Sequence, residues 1–398
     1  MEQSAAAPAR DRIELLDALR GFALFGILLA NILYWSGWIF LEEPQRVALA
    51  GEASTHAQHL FHLTLVDGKF YTLFSLLFGI GFSLQLARLQ SRGVDGIRIF
   101  RRRLLVLLGI GLIHMVLIWD GDILTLYALL GLLLPWFRNW GDRHLLIAAV
   151  LLILSPIAGV ALFEALGWQP HVAINGLGDS IGASLGGNPK DPVGWLQRSD
   201  PQAFLAWVLG GWPYAIGTRI ESWRIPKVLG IMLLGLVLGR RLAAGGLLDD
   251  RRLMWMALAG GLAVGLPFSL AYALTADATQ TSLSSMLGTV PLALAFGAAF
   301  VLVWPRAKGM LGLLAYPGRM ALTNYLMHSL LGILLFYGIG FGLIGRLPPA
   351  GFYPIALAIF AAQVVFSRLW LARFDQGPME ALWRRLTYGR GRAKPLPA

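Results

Sequence analysis

Cysteine is absent from this chain of 398 residues, and charged side chains are scarce. The lack of cysteine excludes disulfide bonds, thiol catalysis and cysteine-ligated metal sites. Charged residues make up only 14% of the chain, whereas soluble domains carry about 25%. The sequence also lacks a phosphate-binding glycine loop and an HExxH or GxSxG motif in a usable context. Too few polar residues remain to cover a water-facing surface, which points to a chain that lies in lipid.

Apolar residues, by contrast, make up 57% of the chain, and the mean hydropathy is +0.64. Lipid accepts apolar side chains but leaves no backbone group unpaired, so a spanning segment folds as an α-helix of about 20 residues. The even spread of apolar runs predicts an all-α fold, a single polytopic membrane domain of about ten transmembrane helices. The predicted spans are Leu15–Ile39, Phe70–Leu89, Leu104–Trp119, Ile123–Phe137, Leu145–Leu166, Val228–Leu242, Leu253–Leu274, Leu283–Trp304, Met320–Ile344 and Tyr353–Leu371.

The order of these runs suggests four parts of one domain. An N-terminal helix group (13–166) is followed by an outer segment (167–224), a C-terminal helix group (225–389) and a disordered tail (390–398). Within the outer segment, glycines and a proline interrupt the apolar stretch Phe204–Ile220, which predicts an interfacial or re-entrant helix, with a full span as the alternative. The preceding residues, Gly167–Asp200, are predicted as an ordered lid or a flexible connection.

The net charge is +11, and the basic residues lie mostly in short loops between the apolar runs rather than in a single patch. This pattern favours orientation in a membrane over nucleic-acid binding, because cytoplasmic loops collect Lys and Arg. Basic residues occupy alternate loops, which predicts both termini in the cytoplasm and places the chain in the cytoplasmic (inner) membrane of a bacterium. Arg219, Arg224 and Lys227 are the exception, since they end the long outer segment, and they are discounted because long loops follow the rule poorly.

Two histidines within predicted spans are candidate catalytic residues. His114 lies about 16 Å beyond Arg103, and His328 about 13 Å beyond Arg319, by helix rise. This similar depth predicts a shared cavity. Asp120 and Asp122 follow His114 closely, and a carboxylate that fixes the tautomer of a histidine is what general base catalysis requires. The alternative is that the histidines are neutral and hydrogen-bonded within the bundle.

Other ionisable and polar residues near the spans are candidate substrate-binding groups, because such residues are costly in lipid. Asp17 and Arg20 are three apart and can form an ion pair beside Gly21, which favours close helix packing. Asn31 is predicted as an interhelical hydrogen bond or a substrate contact, and Lys69 as a snorkelling residue or an anion partner. The remaining candidates are Arg319, Thr323, Asn324 and Tyr325.

An HxxHxxH run at His56, His59 and His62 has a spacing that can chelate a metal. No carboxylate lies at a chelating helical spacing beside it, however, so no metal site is predicted.

Several segments resemble the YeiB-like family, known as domain of unknown function 418. They are Leu16–Ala23, Gly68–Phe70 with Phe74–Gly79, Trp119–Leu124, Gly318–Tyr325 and the tail Gly377–Gly389. The resemblance covers nearly the whole chain in the same order.

A wider resemblance concerns Asp17, Arg20 and Gly21, whose motif is similar to the start of transmembrane acyltransferases of the heparan-glucosaminide acetyltransferase type. Those enzymes use cytoplasmic acyl-CoA and an essential histidine that follows the first helix. His56, His59 and His62 occupy that place, but their surroundings differ, so the role is not carried over.

The expected function is therefore acyl transfer from acyl-CoA to an envelope or small-molecule acceptor, with no tightly bound cofactor. In this hypothesis His114 or His328 is the base or acyl carrier, Asp120 or Asp122 orients it, and Lys69 and Asn324 bind the acceptor or the oxyanion. A small-molecule transporter or exporter is the alternative from another class, since polar groups at mid-membrane suit it equally. A non-catalytic membrane scaffold is the third.

Overall fold

The computed structural model describes residues 9–90, 95–276 and 279–389, and the predicted disordered tail lies outside them. The described chain is 82% helical without strands, which confirms the all-α prediction. Short 3-10 turns cover Trp38–Phe40, Leu134–Phe137 and Gly312–Leu314, and a π-helical turn covers His62–Val66. The α-helices are α1 (Ala9–Trp35), α2 (Glu43–Ala50), α3 (Glu52–Phe61), α4 (Lys69–Gln90), α5 (Gly96–Leu117), α6 (Leu124–Gly131), α7 (Asp142–Ala165), α8 (Pro170–Ser184), α9 (Pro192–Gln197), α10 (Pro201–Glu221), α11 (Arg224–Ala244), α12 (Arg251–Leu274), α13 (Leu283–Leu311), α14 (Ala315–Arg319), α15 (Ala321–Phe336), α16 (Pro349–Leu371) and α17 (Pro378–Tyr388).

Among the described residues, five helical stretches are long and apolar enough to cross a bilayer. Large apolar side chains such as Leu151 and Val365 stand exposed on their surfaces. In water such surfaces would cause association, so the helices are those of a membrane protein. The five stretches are Glu52–Leu89, Asp142–Ala165, Arg251–Leu274, Leu283–Arg319 and Pro349–Leu371, and the shorter apolar stretches are Leu124–Phe137 and Ala321–Phe336.

Helix starts follow polar capping residues rather than the onset of apolar sequence. Asp95 accepts a hydrogen bond from Arg98 N at 3.1 Å, so α5 begins at Gly96, two turns before the apolar run at Leu104. Asp250 caps α12 in the same way, through Leu253 N at 2.9 Å. An aspartate at this position satisfies backbone N–H groups that have no partner within the helix. Hydropathy alone therefore underestimates the length of these helices.

Glycines allow the closest helix contacts. A Cβ atom at Gly79 of α4 would lie 2.2 Å from Met232 O, and one at Gly235 of α11 would lie 2.3 Å from Leu76 O. Gly21 of α1 faces Leu314 in the same way, at 2.0 Å from its carbonyl oxygen. Small residues of this kind let membrane helices pack backbone to backbone, as predicted for Gly21.

The helices have two distinct ends. At one, here called the basic end, Lys308 pairs with Glu14 at 3.3 Å, and Trp383 Nε1 donates to Arg103 O at 2.7 Å. Arg240 joins α11 to the start of α7 through Asp142 at 2.9 Å. The opposite end, here called the cavity end, contains residues 36–68, 118–123 and 338–348. Helix α10 contacts this end both early and late, through the rings of Phe204 and Tyr337 and through Arg219 and Asp122.

Candidate functional site

A cavity of about 410 Å³ lies at the cavity end. Its wall comes from α1, α3, the π-helical turn, the chain from Trp119 to Ile123, α10 and the start of α11. Its lining is mixed: many residues are polar, whereas Ile27 and Phe70 of α1 and α4 form an apolar part of the wall. The polar lining residues are Asn31, Tyr34, Arg46, Gln58, His59, His62, Asp67, Tyr71, Asp120, Asp122, Tyr214, Thr218, Arg219, Arg224, Tyr272, Gln280 and Tyr325.

Two histidines line this cavity, and neither is one that the sequence analysis assigned to catalysis. His59 Nε2 lies 3.0 Å from Ala273 O, so it carries a proton that it donates to this carbonyl. His62 opens the π-helical turn, and its buried Nδ1 has no hydrogen-bond partner among the described residues. Such turns are rare and are frequent at functional sites. His62 therefore lines the cavity with a buried ring nitrogen that no described protein group satisfies.

Asp67 follows this turn and is held firmly in place. Tyr272 Oη donates to its carboxylate at 3.1 Å, and Gln280 Nε2 donates at 2.8 Å. Its own backbone N–H donates to His62 O at 2.8 Å. The same contacts thus fix both the carboxylate and the turn that carries His62.

Three arginines contribute positive charge to the wall. Arg219 donates to the backbone oxygen of Asp122, and its guanidinium lies 3.6 Å from the carboxylate of that residue. Arg224 Nη2 donates to Gln280 Oε1 at 3.0 Å, and its guanidinium lies over the ring of Tyr71. Arg46 Nε donates to Leu41 O at 2.8 Å. Acidic and basic groups therefore surround the same space.

Asp120 is the least committed carboxylate of the wall. It lies in the non-helical chain between α5 and α6, and its pKa is raised to about 6 because burial disfavours the charged form. Hydrogen bonds from backbone N–H groups and electrostatic attraction by His114 and Arg219 oppose that rise. Its charge therefore changes near neutral pH.

His114 lies behind this wall, fully buried. Its Nδ1 is 3.0 Å from Asp122 Oδ1, and its Nε2 is 2.8 Å from Ser329 Oγ. Asp122 also accepts from the backbone N–H groups of Leu124 at 3.1 Å and Thr125 at 2.7 Å, and so caps α6. The predicted pairing of His114 with one of the two aspartates is thus present in the structure, but both ring nitrogens are already used.

His328 lies in a separate hydrogen-bond chain between α15 and α16. Its Nε2 donates to Gln363 Oε1 at 2.7 Å, and Gln363 Nε2 donates to Asn324 O at 3.0 Å. Asn324 Nδ2 in turn donates to Ser367 Oγ at 2.9 Å. The prediction that His114 and His328 share a cavity was therefore wrong, because equal depth on two helices does not make two side chains face the same space.

Of the predicted substrate-binding residues, Asn31 and Tyr325 line the cavity and the others do not. Asp17 and Arg20 form the predicted pair at 2.5 Å near the basic end. Lys69 is fully buried and donates to Leu63 O at 2.6 Å. Thr323 donates to Glu380 Oε2 at 2.6 Å, and Arg319 Nη2 lies 3.4 Å from Asp375 O. These side chains are thus used in contacts within the protein, and Thr323 joins α15 to α17.

Sequence alone did not identify Arg219 and Arg224, or the histidines His59 and His62, as residues of the site. Arg219 and Arg224 were visible as basic residues on the side where few are expected, which was a signal of function. His59 and His62 were considered as metal ligands and as counterparts of the acyltransferase histidine, and neither role was assigned to them. The described residues contain no group of three or more His, Asp or Glu side chains that could hold a metal ion. Asp67 gave no periodic signal, because it lies between two helices.

The comparisons with known proteins cover the whole architecture. A family model described as "Protein of unknown function (DUF418)" matches residues 239–390. The "Uncharacterized protein YxaH" of Bacillus subtilis (strain 168) is 31% identical over 95% of this chain and 94% of its own length. The "Uncharacterized protein YeiB" of Escherichia coli (strain K12) is 30% identical over 95% of this chain and 96% of its own. The chain therefore belongs to the YeiB-like family of proteins with a DUF418 domain.

Proposed function

We propose that this protein is a membrane-embedded acyltransferase that moves an acyl group from acyl-CoA to an envelope or small-molecule acceptor held in the cavity. The observation that carries the proposal is His62, which lines a polar cavity with an unpartnered ring nitrogen. A general base must lie within reach of the proton it removes. His62 lines the space that an acceptor would occupy. Both nitrogens of His114 are occupied, and His328, whose Nδ1 also lacks a partner among the described residues, does not line the cavity.

In the proposed step, Nδ1 of His62 accepts the proton of an acceptor hydroxyl or amine as its oxygen or nitrogen bonds to the acyl carbon. The carbon–sulfur bond of the thioester breaks, and His62 returns the proton to the sulfur of the leaving CoA. Asp67, fixed beside the turn by Tyr272 and Gln280, stabilises the imidazolium that forms between these two events. Asn31 and Tyr325 offer polar contacts to the acceptor.

The buried histidines have positioning roles in this scheme. His114 holds Asp122, and Asp122 holds both the start of α6 and Arg219 at the cavity wall. The pair therefore acts on the cavity through Arg219. His328 and Asn324 hold α15 against α16 through Gln363 and Ser367.

A second, smaller pocket adjoins the cavity and has room for about one water molecule. It has a volume of about 10 Å³, shares Asp67, Tyr71 and Gln280 with the cavity, and reaches Thr72 and Thr289. Those two threonines lie one to two turns inside α4 and α13. The pocket thus extends the polar lining from the cavity toward the basic end.

We propose further that the bundle spans the bacterial inner membrane ten times with both termini in the cytoplasm. Arg138, Arg240 and Lys308 lie together at the basic end, where the positive-inside rule places the cytoplasm. The cavity then faces the periplasm, and the basic end offers attractive charge to the phosphates of CoA. The pantetheine arm must therefore pass through the bundle for the thioester to reach His62. The ten spanning segments of this proposal are α1, α4, α5, α6 with the following 3-10 turn, α7, α11, α12, α13, α15 and α16.

The test uses purified protein in lipid vesicles with labelled acetyl-CoA and an extract of envelope lipids and polar metabolites. We expect free CoA to be released together with an equal amount of label in a product of the extract. Absence of both CoA release and labelled product would contradict the proposal.

Transport is the second candidate, because a charged cavity formed where helices break also suits a carrier. Uptake of a labelled extract component into vesicles without CoA would favour this reading over acyl transfer.

A further inference from the structure

We infer that the cavity binds a molecule that carries a phosphate or carboxylate group, and that Arg224 holds this acidic group. In the proposed reaction this molecule is the acyl acceptor, and that identification rests on the proposed function. Anion binding by the cavity does not depend on it.

Arg219 and Arg224 differ in whether a carboxylate lies beside the guanidinium. Arg219 has Asp122 as a counter-ion at 3.6 Å. No described carboxylate lies within 4.0 Å of Arg224, whose neighbours are the amide oxygen of Gln280 and the ring of Tyr71. A guanidinium that is partly buried without a counter-ion attracts an anion, because its charge has lost part of its hydration.

The guanidinium of Arg224 also has a hydrogen-bond donor that no described protein group satisfies. Arg224 Nε is buried and has no hydrogen-bond partner among the described residues. A buried N–H without an acceptor costs free energy that a ligand oxygen recovers. Arginine binds carboxylates and phosphates through parallel N–H donors, so its fork suits such a ligand.

The backbone beside Arg224, the first residue of α11, also favours an anion. The preceding residue, Trp223, has φ 50° and provides no side-chain cap to the helix. It is the one non-glycine residue with positive φ in the described part of the chain. Strain of this kind persists where surrounding structure imposes it and is frequent at binding sites. The uncapped N-terminus adds partial positive charge beside the guanidinium.

None of the wall carboxylates Asp67, Asp120 and Asp122 forms an ion pair with Arg224. Asp67 accepts from Tyr272 and Gln280, and Asp122 accepts from the backbone of α6 and lies beside His114. The wall at Ile27 and Phe70 is apolar. A ligand with an acidic group and an apolar remainder matches both parts of the cavity, whether it is an anionic lipid or a free metabolite.

The experiment measures binding to the purified full-length protein in an uncharged detergent, at constant ionic strength. One arm titrates inorganic phosphate by calorimetry, and the other compares phosphatidylglycerol with phosphatidylcholine in mixed micelles. We expect the wild type to bind at least one anionic probe. Binding of phosphate alone would indicate a free metabolite, and preference for phosphatidylglycerol alone would indicate a lipid.

The variant Arg224→Gln removes the charge, and we expect it to weaken binding about tenfold or more. Arg224→Lys keeps the charge and should retain part of the affinity, which guards against a folding defect in the first variant. Arg198→Gln is the matched control, because Arg198 is exposed and pairs with Asp200. Equal affinity in wild type and Arg224→Gln, or no affinity for any anionic probe, would overturn the inference.

His62→Ala separates this inference from the proposed function. It should bind the anion like the wild type and yet fail in acyl transfer. Anion binding in a protein that never releases CoA from acetyl-CoA would leave the inference standing and reject the acyltransferase.

Discussion

The cavity wall and the helix interior behind it contain the same residue types but use them differently. In the interior, His114 has a partner at each ring nitrogen, and Asn324 and Gln363 bond to each other's helices. At the wall, His62 Nδ1 and Arg224 Nε have no protein partner among the described residues, and both side chains line the cavity. In the interior, His328 Nδ1 and Asn324 Oδ1 also lack a partner among those residues, but neither side chain lines the cavity. A polar group in a membrane helix is therefore best judged by its remaining hydrogen-bonding capacity together with its access to a cavity. Depth alone selected two histidines that do not line the cavity.

The largest expected effect distinguishes two histidines of the same run, His62 and His56. His62 lines the cavity, whereas His56 is exposed and does not line it. We expect His62→Ala to lower acyl transfer by about 10²- to 10⁴-fold, the usual contribution of a general base. His56→Ala should transfer at the wild-type rate. The measurement is CoA release from acetyl-CoA, and equal rates in both variants would remove His62 from the reaction.

Substitutions in the helix interior should lower the free energy of unfolding. His114→Ala leaves Asp122 and Ser329 with unmet hydrogen bonds in a fully buried site. We expect a loss of about 3 kcal/mol in the free energy of unfolding, because buried polar networks are costly to break. Denaturant unfolding in detergent gives this value, with His56→Ala as the control. A stable His114→Ala protein would mean that the interior chain is not structural.

A smaller effect is expected at the basic end. Glu380 of α17 accepts from the backbone N–H groups of Leu322 and Thr323 at 2.8 and 3.0 Å, and so caps α15 from outside. Glu380→Ala should cost about 1–2 kcal/mol, as loss of a helix cap does. The exposed Glu164 provides the control, since Glu164→Ala should change unfolding little. Equal losses in both variants would reject the cap.

Another effect concerns the pH dependence of stability, through Asp120 at the cavity wall. Burial raises the folded-state pKa of Asp120 from 3.8 to about 6, so its neutral form is favoured by folding. That stabilisation is complete below pH 3.8 and is lost as pH rises through 6. Relative to Asp120→Asn, the wild type should become less stable between pH 4 and pH 7. Unfolding curves at both pH values measure this, and parallel pH profiles in the two proteins would contradict the shift.

The helical architecture was predictable, because hydropathy and the spacing of residues within one helix are local properties of the sequence. The Asp17–Arg20 pair and the close packing at Gly21 follow from spacing alone. The partnership of His114 with Asp122 joins residues eight apart. The cavity was not predictable in this way, since it joins His62, Arg224 and Gln280 from distant segments. Its one sequence signal was the misplaced charge of Arg219 and Arg224, which the positive-inside rule alone left unexplained.

The central claim is that the cavity is open to water outside the cell while the histidines behind it are closed off. A chain without cysteine allows a direct measurement with single cysteines and a membrane-impermeant maleimide on intact cells. Thr218→Cys at the cavity wall should be labelled at once, and Ser329→Cys, fully buried beside His114, should remain unlabelled. Gly309→Cys near the basic end, where a side chain meets no atom, should be labelled only after the cells are opened. Labelling of Ser329→Cys in intact cells, or of Thr218→Cys only in opened cells, would contradict the account.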